Sequence, residues 1–152
     1  MFLLFAAVAF VATMVEAMEV ATLGGGGGNL ASFYVCDSSV DALNGVYELD
    51  DAFHSDDAPV FIRVDDDDVT TTDFRLFRYQ GFWSFANFAE WPPAVHFRCD
   101  PFQNMGEESG FCGVDQADPP LAGYSAREPA PGVQSPVLQF EPCGPSRLKL
   151  EL

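Results

Sequence analysis

The feature that most limits the fold of this chain is the shortness of its apolar runs from about residue 33 onward. Aromatic and β-branched runs such as SFYVC and PVFIRV alternate with clusters of Gly, Pro and Asp. Helical spacing is almost absent, and short runs with turn residues between them are typical of antiparallel strands. The pattern predicts an all-β domain, a small antiparallel meander that forms a sandwich or a partly closed barrel.

Seven runs fit this strand pattern, and each is bounded by turn residues. Asn44-Gly45 opens the second run, Asp50-Asp51 is expected to end it, and Pro59 begins the third, where a missing backbone donor is tolerated. The NGVYEL stretch is therefore interpreted as scaffold, with no chemical role. The predicted strands cover residues 32–36, 45–49, 59–64, 74–79, 82–88, 95–99 and 136–140.

The RYQGFW stretch predicts a hairpin with a defined register. Gln80-Gly81 fits a two-residue turn of the primed type, in which Gly readily adopts a positive φ. One face then carries Phe77, Tyr79, Phe82 and Phe88, and the other carries Phe74, Leu76, Arg78, Trp83 and Phe85. Because both faces are apolar, a central hairpin covered on both sides is the favoured interpretation. The alternative is that one face presents an aromatic platform to a ligand.

The four cysteines fit an exported protein in which all are oxidised, because their number is even. Four cysteines allow three pairings. We predict Cys99–Cys112, which would close a polar loop that no hydrophobic pattern holds, and Cys36–Cys143, which would join the first strand to the last. A zinc site is the competing interpretation, but no C-x-x-C pair is present.

The N-terminus has the pattern of an export signal. An apolar run over residues 2–15, interrupted only by Thr13, is too short to span a bilayer as a helix, and Ala17 supplies a small residue at a cleavage site. Five consecutive glycines at 24–28 predict a flexible linker. The predicted organisation is a signal peptide over 1–17, a Gly-rich linker over 18–32, a β domain over 33–143 and a C-terminal tail over 144–152.

This organisation predicts a secreted, monomeric product with no stable membrane association after signal cleavage. An uncleaved signal anchor that displays the domain on a membrane, or a buried hydrophobic arm, is the alternative.

The formal net charge of −16 argues against two classes of partner. No Lys or Arg occurs in residues 1–62, and binding to nucleic acid or to anionic lipid requires a basic patch. The acidic surface is interpreted as keeping a secreted protein soluble. The adjacent carboxylates of Asp65, Asp66, Asp67 and Asp68 are candidate calcium ligands, although they lack the Gly and the terminal Glu of an EF-hand loop. No cofactor is predicted.

No catalytic constellation stands out in the sequence. Ser125 in GYSAR lacks the second glycine of a nucleophile elbow, and oxidised cysteines offer no thiolate. The leading hypothesis is a secreted, non-catalytic binding or display module that meets a glycan or a protein through exposed aromatic rings, with Trp83, Trp91 and Tyr124 as the candidates. The alternative is a small secreted hydrolase that uses acidic residues, but no spacing favours one carboxylate pair.

Four motifs follow one another over residues 33–140. Their characteristic residues are Asn44, Gly45 and Tyr47; Pro59 and Phe61; Leu76, Phe77 and Trp83; and Pro119, Pro120, Gly123 and Tyr124. This order resembles an uncharacterised small module that occurs, often repeated, in large predicted proteins of microalgae and related protists. Tyr124 stands where that module usually has Trp. The resemblance implies a small β-rich module without assigned catalytic residues.

Overall fold

The structure, a computed structural model, describes residues 30–65, 70–102 and 111–145. The predicted signal peptide, nearly all of the predicted linker and most of the predicted tail lie outside these residues. The described strands are β1 Ser32–Cys36, β2 Gly45–Ser55, β3 Ala58–Val64, β4 Thr71–Tyr79, β5 Phe82–Asn87, β6 Ala94–Arg98, β7 Ser125–Ala126 and β8 Val137–Gln139. A 3₁₀ turn, Asp41–Leu43, precedes β2.

All eight described strands form one antiparallel sheet that curls into a half-barrel, which confirms the predicted all-β fold and its partly closed form. The first seven strands are neighbours in chain order, and β8 returns to pair with β1. Curling suits an eight-stranded sheet, because strand twist accumulates across it and one face becomes concave.

Two hairpins close on two-residue turns in which both residues have a positive φ. Gln80 and Gly81, with φ of 52° and 83°, join β4 to β5, and Tyr79 faces Phe82 across the turn as predicted. The predicted end of the second strand at Asp50-Asp51 is wrong. The strand β2 continues to Ser55, because Asp56 and Asp57 form the second such turn and Ser55 pairs with Ala58.

The concave face of the sheet holds the hydrophobic core. Its rings contact one another at centroid distances such as 4.9 Å between Phe33 and Phe61 and 5.7 Å between Tyr47 and Phe85. The segment 119–124 lies against this face, since Tyr124 contacts Phe85 at 5.0 Å and Leu138 N–H donates to the Leu121 carbonyl. The fully buried large side chains are Phe33, Val35, Leu43, Tyr47, Phe61, Leu76, Trp83, Phe85, Phe97, Tyr124 and Leu138.

Two buried tyrosines tie the core to the backbone. The Tyr47 hydroxyl donates to the Leu43 carbonyl at 3.0 Å, and the Tyr124 hydroxyl donates to the Pro120 carbonyl at 2.9 Å. Burial raises the pKa of both phenols well above the usual value, and Arg63 opposes this only partly at Tyr47. Both side chains therefore remain neutral donors at any physiological pH.

Both predicted disulfides are present. We call Cys36–Cys143, with a sequence separation of 107, the N–C disulfide, and Cys99–Cys112, with a separation of 13, the loop disulfide. Two disulfides indicate an oxidising compartment. Among the residues that the structure describes, no helix has the length and apolar character needed to cross a bilayer.

Candidate functional site

The three predicted ligand-binding aromatics lie in different environments. Trp83 and Tyr124 are 0% and 1% exposed, so the prediction that they present rings to a partner is wrong. Trp83 lies on the concave side of β5 with its Nε1–H donating to the Gln116 carbonyl, and Tyr124 is held against Phe85. Trp91 is 85% exposed in the connection between β5 and β6, and its role in binding stays a prediction.

The convex face of β4, β5 and β6 carries a second group of aromatic side chains. Strand alternation produces it, because Leu76 and Trp83 point into the core and their neighbours in the strands point outward. Tyr79 is 51% exposed and Phe102 is 79% exposed. We define the aromatic–arginine surface as Arg75, Phe77, Tyr79, Phe82, Phe88, Arg98 and Phe102, which contact one another in pairs.

The rings of this surface form two contact groups on the same face of the sheet, one around Phe77 and Phe88 and the other around Phe82 and Phe102. Phe77 contacts Phe88 edge-on at 5.3 Å between centroids and lies 6.5 Å from Tyr79. Phe82 contacts Phe102 edge-on at 6.3 Å. Edge-to-face pairs at these distances are favourable beyond the area they bury, so the layer is partly organised before any ligand arrives.

Small residues on the central strand make room for this layer. Ser84 and Ala86 point outward from β5, yet they are only 2% and 0% exposed. Ala86 lies opposite Arg75, and Ser84 lies between Phe77 and Arg98 in the strand register. The long outward-facing side chains of β4 and β6 therefore cover the small side chains of Ser84 and Ala86 on β5.

Two guanidinium groups cover two of the ring faces. The Arg75 guanidinium carbon is 5.1 Å from the centroid of Phe88, and that of Arg98 is 4.8 Å from the centroid of Phe82. Cation–π contact holds each guanidinium in place over its ring. In the described part of the chain, the terminal nitrogens of both arginines lack hydrogen-bond partners.

Asp100 positions two members of the surface. Its Oδ1 accepts a hydrogen bond from Phe102 N–H at 2.9 Å, and its Oδ2 lies 3.7 Å from Arg98 Nε. Asp100 is 6% exposed and is adjacent to Cys99, so the loop disulfide holds the segment that carries it. One buried carboxylate thus orients Arg98 and offsets part of its charge.

Two other arginines of the described chain serve the scaffold. Arg63 Nε donates to the Asn44 carbonyl at 2.8 Å, and its NH1 pairs with Asp65 at 3.0 Å. Arg78 is 9% exposed and donates to the carbonyls of Gln116 and Asp56. These internal partners distinguish both side chains from Arg75 and Arg98, whose terminal nitrogens have no hydrogen-bond partner among the described residues.

Two polar clefts lie elsewhere on the described surface. The first, about 670 Å³, is beside the N–C disulfide and contains Asp37 and Asp41. The second, about 560 Å³, lies where the two hairpin turns meet, and there Asp56 Oδ2 accepts a hydrogen bond from Gly81 N–H. Asp37 and Asp41 are exposed, whereas the general acid of a glycosidase is usually a carboxyl whose pKa is raised. Neither cleft favours one carboxylate pair for the alternative hydrolase.

The calcium candidates are only partly described. Asp65 is paired with Arg63, and Asp66, Asp67 and Asp68 lie outside the described residues. Among the residues that are described, no group of three acidic, histidine or cysteine side chains is arranged to hold a metal ion.

Sequence reasoning found part of the aromatic–arginine surface. Phe77, Tyr79, Phe82 and Phe88 form one of the two faces that the hairpin register separates, although the sequence did not indicate which face would be the platform. The exposure of Tyr79 favours the platform alternative over a hairpin covered on both sides. Arg75, Arg98 and Phe102 were missed. The signal for Arg75 was available, because it alternates with Phe77 on the same strand.

Comparison of the chain with protein-family models, with curated proteins and with solved structures finds no match. The resemblance in motif order to the algal module therefore stays a prediction.

Proposed function

We propose that this protein is an extracellular, non-catalytic binding module that holds a glycan on the aromatic–arginine surface. The observation that carries the proposal is a layer of rings, in two contact groups, on the convex face of the sheet and separate from the core, with Tyr79 and Phe102 at least half exposed. Exposed apolar patches of this kind mark interaction sites, since a folded chain has no structural need to leave them in water.

A glycan suits this layer for two reasons. Sugar rings have apolar C–H faces that pack on aromatic side chains, and their hydroxyls accept hydrogen bonds from guanidinium groups. The two disulfides support export to a compartment where glycans are abundant. Trp91, in the connection that begins beside Phe88, is proposed to extend the contact area.

A glycan array probed with the full chain, followed by calorimetry on the glycans that bind, tests the proposal. Tyr79→Ala and Phe102→Ala should each weaken binding about five-fold, because each removes one exposed ring contact. Phe140→Ala is the matched control: Phe140 is 58% exposed but follows β8, at the opposite edge of the sheet from β7. Absence of binding to every glycan, or equal losses in Phe140→Ala, would refute the proposal.

The alternative hydrolase is tested on the same protein. A panel of glycosidase and esterase substrates should show no turnover. Turnover that is abolished by one Asp or Glu substitution outside the aromatic–arginine surface would replace the binding function with a catalytic one.

A further inference from the structure

The most unusual feature of the aromatic–arginine surface is that, among the described residues, its two guanidinium groups have few partners beyond the rings that they cover. Of the seven basic residues in the sequence, five lie in the described ranges, and two of these, Arg63 and Arg78, are bound to backbone carbonyls. The Arg75 side chain contacts the Phe88 ring and makes no hydrogen bond or ion pair with a described residue, and the Arg98 side chain contacts the Phe82 ring and has one polar contact with a described residue, at 3.7 Å between its Nε and Asp100. In a chain of net charge −16, such arginines require an explanation.

Each guanidinium is held over an aromatic ring. Contact with Phe88 and Phe82 restricts the movement of each group, and this reduces the side-chain entropy that a ligand contact would otherwise cost. A stacked guanidinium still presents its terminal N–H groups in a planar arrangement that matches a carboxylate or a sulfate ester. A ligand would therefore meet two guanidinium groups that are already held in place, Arg75 over Phe88 and Arg98 over Phe82.

From these observations we infer that the aromatic–arginine surface binds an acidic polysaccharide, with Arg75 and Arg98 holding its carboxylate or sulfate groups while Tyr79 and Phe102 pack on its sugar rings. This inference rests on the proposed glycan-binding function and specifies the class of glycan.

The spacing of the two arginines favours a polymer over a single small acid. Arg75 on β4 and Arg98 on β6 lie on opposite sides of β5, and their rows in the register are two residues apart. Strand spacing and rise place their Cα atoms about 12 Å apart. The guanidinium groups lie over Phe88 and Phe82, which are six residues apart, or about 20 Å of extended chain. One acid group cannot contact both guanidinium groups where they lie, whereas a chain with repeated acid groups can.

The net charge of the protein makes the inference testable with simple probes. A strongly acidic protein repels polyanions in general, so any binding of a polyanion must come from local contacts. Dextran, carboxymethyl dextran and dextran sulfate share one backbone and differ in charge. Poly-L-glutamate provides the same charge on a polypeptide.

The experiment is calorimetric titration of the full chain with these four polymers at physiological ionic strength. We expect carboxymethyl dextran, dextran sulfate or both to bind more tightly than dextran, and the stronger of the two identifies the preferred acid group. Arg75→Gln and Arg98→Gln should each weaken that binding at least about ten-fold, since each removes charge-assisted hydrogen bonds. Arg127→Gln removes an equal charge from an exposed arginine that covers no ring within the described ranges, and it should change the binding less than about two-fold.

Asp100→Asn provides a gain of function that misfolding cannot imitate. Asparagine keeps an acceptor for Phe102 N–H but removes the negative charge beside Arg98. Binding of the charged dextran should tighten about three-fold, while Glu141→Gln, an equal change of charge after β8, should leave it unaltered.

Three results would overturn the inference, and they differ in whether the proposed glycan-binding function survives. Equal binding of neutral and charged dextrans with no effect of the arginine variants would show a neutral-glycan surface, and the proposed function would survive. Binding of poly-L-glutamate in preference to every dextran would show that the surface serves an acidic protein. No binding of any carbohydrate, on the array or here, would remove both the inference and the proposed function.

Discussion

Alkaline titration should destabilise this fold through two particular phenols. Tyr47 and Tyr124 are buried, donate to backbone carbonyls and have pKa values raised by burial. Below the usual tyrosine pKa of 10, both the folded and the unfolded chain keep these protons, so they add no pH dependence. Above pH 10, the unfolded chain releases them while the folded chain retains them.

The magnitude follows from proton linkage. Each tyrosine proton that only the folded state retains lowers the free energy of unfolding by about 1.36 kcal/mol for each pH unit above 10. The two protons together lower it by about 2.7 kcal/mol per pH unit. The loss begins near pH 10 and continues toward the raised pKa values of the folded state. Marginal domains have only about 5–15 kcal/mol of stability, so the effect is large.

Urea denaturation followed in half-unit steps from about pH 9 to about pH 11.5 measures this slope. Tyr47→Phe and Tyr124→Phe should each lower the free energy of unfolding by about 1 kcal/mol at neutral pH, because each removes a hydrogen bond. Each should also halve the slope of the free energy of unfolding against pH above pH 10. Tyr79→Phe is the control, because Tyr79 is 51% exposed. A flat profile above pH 10 in the wild type, or a slope that Tyr79→Phe reduces as much as Tyr47→Phe, would refute the reasoning.

Two further predictions concern the scaffold. Replacing both cysteines of the N–C disulfide by serine should lower the free energy of unfolding by about 5 kcal/mol, and replacing those of the loop disulfide should lower it by about 3 kcal/mol. The difference arises because the closed loops span 107 and 13 residues. A larger loss for the loop disulfide in urea denaturation would contradict this. Trp83→Ala should lower stability by about 4 kcal/mol, whereas Trp91→Ala should change it by less than about 0.5 kcal/mol. Similar melting temperatures for the two tryptophan variants would contradict the assignment of Trp83 to the core.

Local features of the sequence were sufficient to locate seven of the eight described strands and the register of one hairpin, whereas the two-residue strand β7 was not predicted. The turn at Gln80-Gly81 sets the register of β4 and β5, because a two-residue turn fixes which residues face each other. Asp56-Asp57 forms a turn of the same kind between β2 and β3. Aspartate is a less obvious turn residue than Gly or Asn, so β2 was predicted six residues too short.

The choice between the two faces of the hairpin depends on distant parts of the chain. Alternation separates Trp83 from Tyr79 and Phe82, but only the curvature of the whole sheet decides which side becomes the core. The segment around Tyr124 then lies on the concave side, which buries Trp83 and Tyr124 together. For this reason the sequence predicts Trp83 and Tyr124 as ligand-binding residues, whereas in the structure both belong to the hydrophobic core.

The cationic part of the surface also required the structure. Arg98 reaches Phe82 because β6 pairs with β5, and a shift in that register between Phe85 and Ala86 sets which residues of β6 point outward. Phe102 joins them through its hydrogen bond with Asp100. No spacing in the sequence encodes these contacts, since they link separate segments of the chain.

The central claim is that the convex face of β4, β5 and β6 is the binding surface of this protein. Backbone amide NMR of the isotopically labelled chain, recorded while carboxymethyl dextran or dextran sulfate is added, tests it directly. The account predicts that perturbed signals cluster at Arg75, Tyr79, Phe82, Arg98 and Phe102. Perturbations confined to the cleft beside the N–C disulfide, or an unchanged spectrum, would contradict it.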